Sequence, residues 1–219
     1  MRRGNRLDNS CLRGQIGNCM HDKHQKFFDQ LAAEWDLAFT AEDLERLSHL
    51  VADMPVQESM EILDLGCGTG ILFDMLRRRV GETGSVTGVD FSIEMAEKAH
   101  RNFPFDNVNV VDADVAMLPF KDSTFDMGVA FASFPHFSNQ QKALDEAHRV
   151  LRAGAKLYLI HLHSSKEIAA MHHRVGGAVE HDTVPTADKM RAMLQQSKFT
   201  DIQINDQTGL YLAVGTNAT

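Results

Sequence analysis

One stretch of this chain leaves little freedom in how it can fold: Ile62-Leu63-Asp64-Leu65-Gly66-Cys67-Gly68-Thr69-Gly70. An apolar run ends in an acid, and three glycines then alternate with other residues. Such a run reads as a buried strand that turns sharply into a helix, with its backbone laid against a ligand. A side chain at the glycine positions would block that approach, and the turn favours positive φ, which glycine tolerates. Further on, a second apolar run, Val86 to Val89, ends in Asp90. An acid at the tip of the second strand is placed to bind the two hydroxyls of a ribose. Together the two features imply a nucleotide-like ligand.

The spacing narrows the choice. A dinucleotide-binding turn usually reads G-x-G-x-x-G, with a helix N-terminus aimed at a pyrophosphate. Here Asp64 precedes the first glycine, and an acid there would repel a pyrophosphate. It suits a ligand with a cationic head, such as the amino group of S-adenosylmethionine (SAM). The segment resembles motif I of the class I SAM-dependent methyltransferases. Asp90-Phe91-Ser92 with Met95 resembles the second motif of that family. Asp112-Ala113-Asp114 leading to Leu118-Pro119-Phe120 resembles the third. Arg149-Val150-Leu151-Arg152-Ala153-Gly154 is similar to the family's turn before the fifth strand, with Ala153 and Ala155 where proline and glycine are usual.

Alternation of strand and helix implies a parallel, doubly wound α/β sheet. The pattern predicts strands at 60–65, 85–90, 108–113, 125–132, 155–163, 200–206 and 209–216. It predicts helices at 70–80, 92–102, 139–151, 165–176 and 187–197. The resemblance implies a Rossmann-like, seven-stranded sheet with an antiparallel last strand, helices on both faces and an N-terminal helical lid. Phe28, Leu31 and Trp35 fall at helical spacing, and Thr40 with Asp43 forms the signature of a capped second helix. Residues 1–25 read as an unstructured arm, or as sequence upstream of a start near Met20, and residues 26–219 as one domain.

Ligands of such sheets bind at the carboxyl ends of the strands. The resemblance therefore assigns Asp64, Gly66, Cys67, Gly68 and Gly70 to the methionine part of SAM. Asp90 falls to the ribose and Phe91 to the adenine, with Met95 of the same motif also assigned to the cofactor. Asp114 and the N–H of Val115 fall to the adenine, and Phe131 and Ala132 to the methionine chain. On the acceptor side, Trp35, His136, Phe137 and His181 are candidates for contact with substrate. The chain has eleven histidines, and several crowd the segment 136–181. His136, His161 and His172 are expected to border one cavity beside the transferable methyl group. Imidazoles there could move a proton, hold a metal, or only support the fold.

A net charge of −8 disfavours a broad nucleic-acid surface. No apolar run approaches the ~20 residues of a membrane helix. No signal-peptide pattern opens the chain, and Cys11, Cys19 and Cys67 form no disulfide framework, so a cytoplasmic location is expected. The layout is closest to the quinone-biosynthesis (UbiE-like) and small-molecule branch of the family. The expectation is a monomeric or homodimeric enzyme that methylates a small, partly apolar molecule. A SAM-binding partner module without methyl transfer, or a SAM enzyme of other chemistry, is the alternative.

Overall fold

The computed structural model describes residues 18–218, with side chains from Lys23 onward. In chain order it runs α1 (Asn18–Leu31), α2 (Ala41–Ala52), β1 (Glu61–Leu65), α3 (Phe73–Val80), β2 (Ser85–Asp90), α4 (Ile93–Asn102) and β3 (Val108–Asp112). It continues with β4 (Phe125–Phe131), α5 (Gln140–Val150), β5 (Leu151–His161), α6 (Ser165–Val175), α7 (Ala187–Gln196), β6 (Phe199–Gln207) and β7 (Leu210–Asn217). The seven strands form one sheet in the order β3-β2-β1-β4-β5-β7-β6. The first five are parallel to one another, and β7 runs antiparallel to both β5 and β6. The order reverses between β1 and β4, which opens a crevice at their carboxyl ends, where ligands of such sheets bind.

Side-chain alternation along the strands divides the core in two. Leu63 and Leu65 of β1 and Leu157 and Leu159 of β5 pack with α5 and α7. Ile62, Tyr158 and Ile160 point the other way, onto α2 and α3. Asp64 shares the parity of Ile62 and is drawn into the interior, only 1% exposed. The Thr40 side chain accepts from the Asp43 N–H, and the Asp43 side chain accepts from the Thr40 N–H, closing the expected capping box of α2.

Several expectations shift. Helix α1 begins at Asn18, ahead of the start near Lys26 that the pattern implied; residues 1–17 lie outside the described part of the chain. Helix α3 begins at Phe73, because the glycine turn runs on past Gly70. Strand β5 begins at Leu151, inside the segment expected to be a turn. Phe125 pairs with Leu151 but Met127 pairs with Lys156, so residues 152–155 loop out around Gly154 while the strand continues. The same motif has a further role. Arg149 donates to the carbonyls of Leu118 (3.0 Å) and Phe120 (2.7 Å) and to both oxygens of Glu146. Glu146 in turn accepts the Leu118 N–H at 2.8 Å. Two motifs far apart in sequence thus fix the segment after β3.

Candidate active site

The turn after β1 is built around its glycines. Gly66 and Gly68 have φ of 72° and 54°, the left-handed region. A Cβ on Gly66 would stand 2.5 Å from Ser133 Cβ, and one on Gly68 would stand 3.3 Å from Trp35 Nε1. The crevice therefore needs both to be glycine. Gly70 serves a different end from the one expected. It lies outside the cavity lining, and a Cβ there would collide with Phe73 (2.7 Å) and Phe103 (2.9 Å). Its role is packing between the turn and α3.

A cavity opens at this turn. Its walls hold Asp64, Gly66, Cys67 and Gly68 after β1, and Asp90, Phe91 and Met95 after β2. Asp114 and Val115 after β3 and Phe131, Ala132, His136 and Phe137 after β4 complete it. Phe28 and Trp35 roof it from the N-terminal segment. Asp90 ties the two turns together: Oδ2 accepts the Gly68 N–H (2.8 Å) and Oδ1 the Ser92 N–H (2.9 Å). Burial pushes its carboxyl up to about 6, against the pull of those hydrogen bonds. Asp64 is more extreme. Its Oδ2 is buried and meets no hydrogen-bond partner among the described residues. Burial, and then the charge of Asp90, push its carboxyl up to about 8. Burial and a like charge favour the neutral form of such an acid, and a cation placed beside it would favour the charged form. Burial, with the charges of Asp90 and Asp64, also raises the Cys67 thiol well above its ordinary value, which favours its neutral form. Asp114 accepts from Ala116 N–H (2.8 Å) and Ser138 Oγ (2.7 Å), which orients it at the cavity edge.

A second cavity of about 410 Å³ adjoins the first. The two share Phe28, Trp35, Phe39, Phe131, Ala132 and His136. Its wall brings His136, His161 and His172 together, with His163 beside them. The rest is mainly apolar, from Phe27 and Leu31 of α1 to Ile168, Met171 and Val175 of α6. Phe137 lines the first cavity only, and His181 is exposed and lines neither. The neighbour of His181, Asp182, turns inward instead. Its carboxylate bonds His136 Nδ1 (2.7 Å) and His24 Nε2 (2.8 Å). His161 is buried; its Nε2 has no partner among the described residues, and burial drives its pKa down to about 3. Among the described residues no group of three or more His, Cys, Asp or Glu is arranged to hold a metal ion. Ala132 sits at φ 53°, a strained setting for a non-glycine residue, at the junction of the two cavities.

The roof is pinned from below. Asp29 accepts from Ser92 Oγ at 2.6 Å, and Thr69 Oγ1 bonds Asp36. Lys98 of α4 reaches Asp36 (2.8 Å) and the carbonyls of Ala32 (2.9 Å) and Ala33 (3.0 Å). Phe28 stacks edge-on against Trp35, Phe91 and His136. His24, Asp182 and Lys98 carried no signal in the sequence, because each acts across a long separation on a residue of another element.

A doubly wound sheet with an acid-led glycine turn and a second acid at the tip of β2 defines a nucleotide-cofactor protein. Residues 63–159 match the family described as "Methyltransferase domain". The demethylmenaquinone methyltransferase of Staphylococcus epidermidis is 31% identical over 180 residues, covering 77% of this chain and 73% of that protein. The chain belongs to the class I SAM-dependent methyltransferase family, in its UbiE-like branch. The 2-phytyl-1,4-naphtoquinone methyltransferase of a Nostoc species is 41% identical over 105 residues, 46% of each chain. The chain thus spans about half the length of such relatives. Solved structures share the fold: a SAM-dependent methyltransferase of Aquifex aeolicus (TM-score 0.64, 22% identity, 89% of this chain and 98% of that one). A Haloferax volcanii chain, solved as a complex with the Trm112 methyltransferase activator, gives a TM-score of 0.74 at 22% identity, over 88% of this chain and 98% of that one. Among the described residues no helix is long and apolar enough to cross a membrane.

Proposed function

We propose that the protein transfers a methyl group from SAM to a small, partly apolar acceptor. The observation that carries this reading is the pair of adjoining cavities, one lined by the acid-and-glycine turns and the other by apolar side chains and histidines. SAM fits the first cavity on the chemistry of its walls. Asp64 is a buried acid whose Oδ2 has no hydrogen-bond partner among the described residues, suited to the cationic amino group. Gly66, Cys67 and Gly68 line the methionine part, and Phe131 and Ala132 its chain. Asp90 serves the ribose, since each oxygen keeps a lone pair beyond the N–H it already accepts. Phe91 and Met95 flank the adenine, with Asp114 and the Val115 N–H on its polar edge. When bound, the group supplies a methyl carbon on a positively charged sulfur.

The protein's part is to place and enclose. Trp35 and Phe28 roof the donor and exclude water, which strengthens the electrostatics inside. Phe28, Trp35, Phe39 and Phe131 are also shared with the acceptor cavity, so one set of aromatic rings orients both ligands. Correct placement of two reactants accounts for much of such an acceleration. His161 and His172 give the acceptor cavity its polar contacts. The names of the relatives point to quinone-like aromatic acceptors as the first to assay.

The test is release of S-adenosylhomocysteine from SAM in the presence of phenols, naphthohydroquinones, thiols, carboxylates and amines, with SAM affinity measured by calorimetry. Acceptor-dependent release supports the reading. Tight SAM binding with no release for any acceptor favours a SAM-binding module, and a different SAM-derived product favours other chemistry.

A further inference from the structure

Resting on the methyl-transfer reading, we infer that Asp182 is the positioning residue that makes His136 the proton acceptor of the reaction, and that His24 ties the roof helix α1 to the same carboxylate. Three imidazoles converge on this one residue. His136 Nδ1 lies 2.7 Å from Asp182 Oδ2. His24 Nε2 lies 2.8 Å from that oxygen and 3.1 Å from Oδ1. His172 Nδ1 lies 2.7 Å from the Asp182 carbonyl. An ionised carboxylate and a carbonyl can only accept, so each of these three nitrogens carries the hydrogen. A neutral imidazole has one such hydrogen. The lone pair of His136 is therefore on Nε2.

The charges agree with that arrangement. Burial works to raise the Asp182 carboxyl, and the bonds from His136 and His24 outweigh it and hold the group ionised. Burial holds His136 below its ordinary value, ahead of the opposing pull of Asp182 and with further lowering by His172 and His24. His136 thus stands neutral, with its basic nitrogen set. Of the three expected histidines, only His136 lines both cavities.

The step balances as follows. The proton of the acceptor passes to His136 Nε2, giving an imidazolium whose Nδ1–H rests on the Asp182 carboxylate. The electron pair left on the acceptor forms the new bond to the methyl carbon, and sulfur keeps the pair of the bond that breaks. The imidazolium returns its proton to water. The acceptor is accordingly a nucleophile that arrives with a removable proton, such as an aromatic hydroxyl, and not a thioether or tertiary amine. The His24 bond adds a coupling. Helix α1 carries the roof residues Phe27, Phe28 and Leu31, so docking the roof and fixing the carboxylate behind the base are one event.

The test reads tautomer and turnover on the whole chain. Nitrogen NMR of the imidazoles is expected to show the His136 hydrogen on Nδ1 in the wild type, and a shift toward the Nε2–H form in Asp182→Ala. With naphthohydroquinone as the probe acceptor, Asp182→Ala loses turnover by about 100-fold, within the range general acid–base catalysis supplies. Acceptor KM stays within about twofold in it, since Asp182 lines neither cavity, and SAM affinity falls only several-fold through the loosened roof. Asp182→Asn, which keeps the side-chain shape without its charge, serves if the alanine variant is unstable, and it too loses turnover. His24→Ala lowers turnover by a smaller factor and, by loosening the roof, weakens SAM several-fold at most. A wild-type His136 with its hydrogen on Nε2, or an Asp182 variant with wild-type turnover, overturns the inference. Failure of the wild type to bind SAM strikes the methyl-transfer reading instead, and the tautomer readout stands apart from it.

Discussion

Asp64 is a buried acid whose Oδ2 has no partner among the described residues, and its carboxyl is held up to about 8 against an ordinary 3.8. The folded protein therefore keeps a proton that the unfolded chain releases. That contribution to stability is complete below about pH 4 and is lost as pH rises toward about 8. Asp64→Asn should raise the melting temperature by several degrees at mildly alkaline pH and hardly at all in acid, as thermal melts at the two pH values will show. The same variant should bind SAM at least about tenfold more weakly, the scale of a lost charged contact. Calorimetry at neutral pH in buffers of different ionisation heat should find proton release on SAM binding in the wild type and none in the variant. Asp90→Ala should also weaken SAM by about tenfold or more. Because Asp90 holds the Gly68 and Ser92 N–H groups, it should cost about 1–3 kcal/mol of stability as well, measured by denaturant titration. These acids were legible in the sequence because each ends an apolar run beside a turn, a local signature. Asp182 and His24 were not. They meet across 158 positions of chain, and no periodicity or spacing encodes such a bond.

Among the elements, α1 was the hardest to delimit. Its first turns are polar and show no clear apolar stripe, so the pattern started the helix near Lys26. Among the described residues, His24 on Asp182 ties down this part of the helix, and Asp29 on Ser92 ties down the part that follows. The strands were far easier. β1, β2 and β4 are short runs buried along nearly their whole length, β7 alternates buried with half-buried positions, and β6 and β7 close through Gly209 at φ 79°, a hairpin the sequence announced. Strand β5 was drawn too short because a glycine inside a strand reads as a stop, whereas here it marks a loop-out between paired segments. Lys98 gives the element-scale prediction. Its ammonium bonds the carbonyls of Ala32 and Ala33, just past the end of α1, and the Asp36 carboxylate. Such cationic capping at a helix C-terminus is stabilising. Lys98→Met should loosen the segment 27–38, read as faster hydrogen exchange there, and should speed SAM dissociation several-fold in stopped-flow.

At the scale of the molecule, the chain forms two chambers at the carboxyl edge of one sheet, and they can be separated by mutation. Met171 lines the acceptor chamber alone, on α6. Met171→Trp should fill part of the 410 Å³ and abolish acceptor turnover while leaving SAM affinity within about twofold, as calorimetry and product release will show together. The roof formed by Phe28 and Trp35 belongs to both chambers. A gate held in common has a kinetic signature. On the proposed methyl transfer, donor and acceptor are enclosed at once, and the methyl group is expected to cross directly between them with no stop on the protein. Initial-rate plots against one ligand, at several fixed levels of the other, should therefore converge to a point and never run parallel. On that reading, the expected limit on repeated cycles is how often the roof lifts to let the spent donor out.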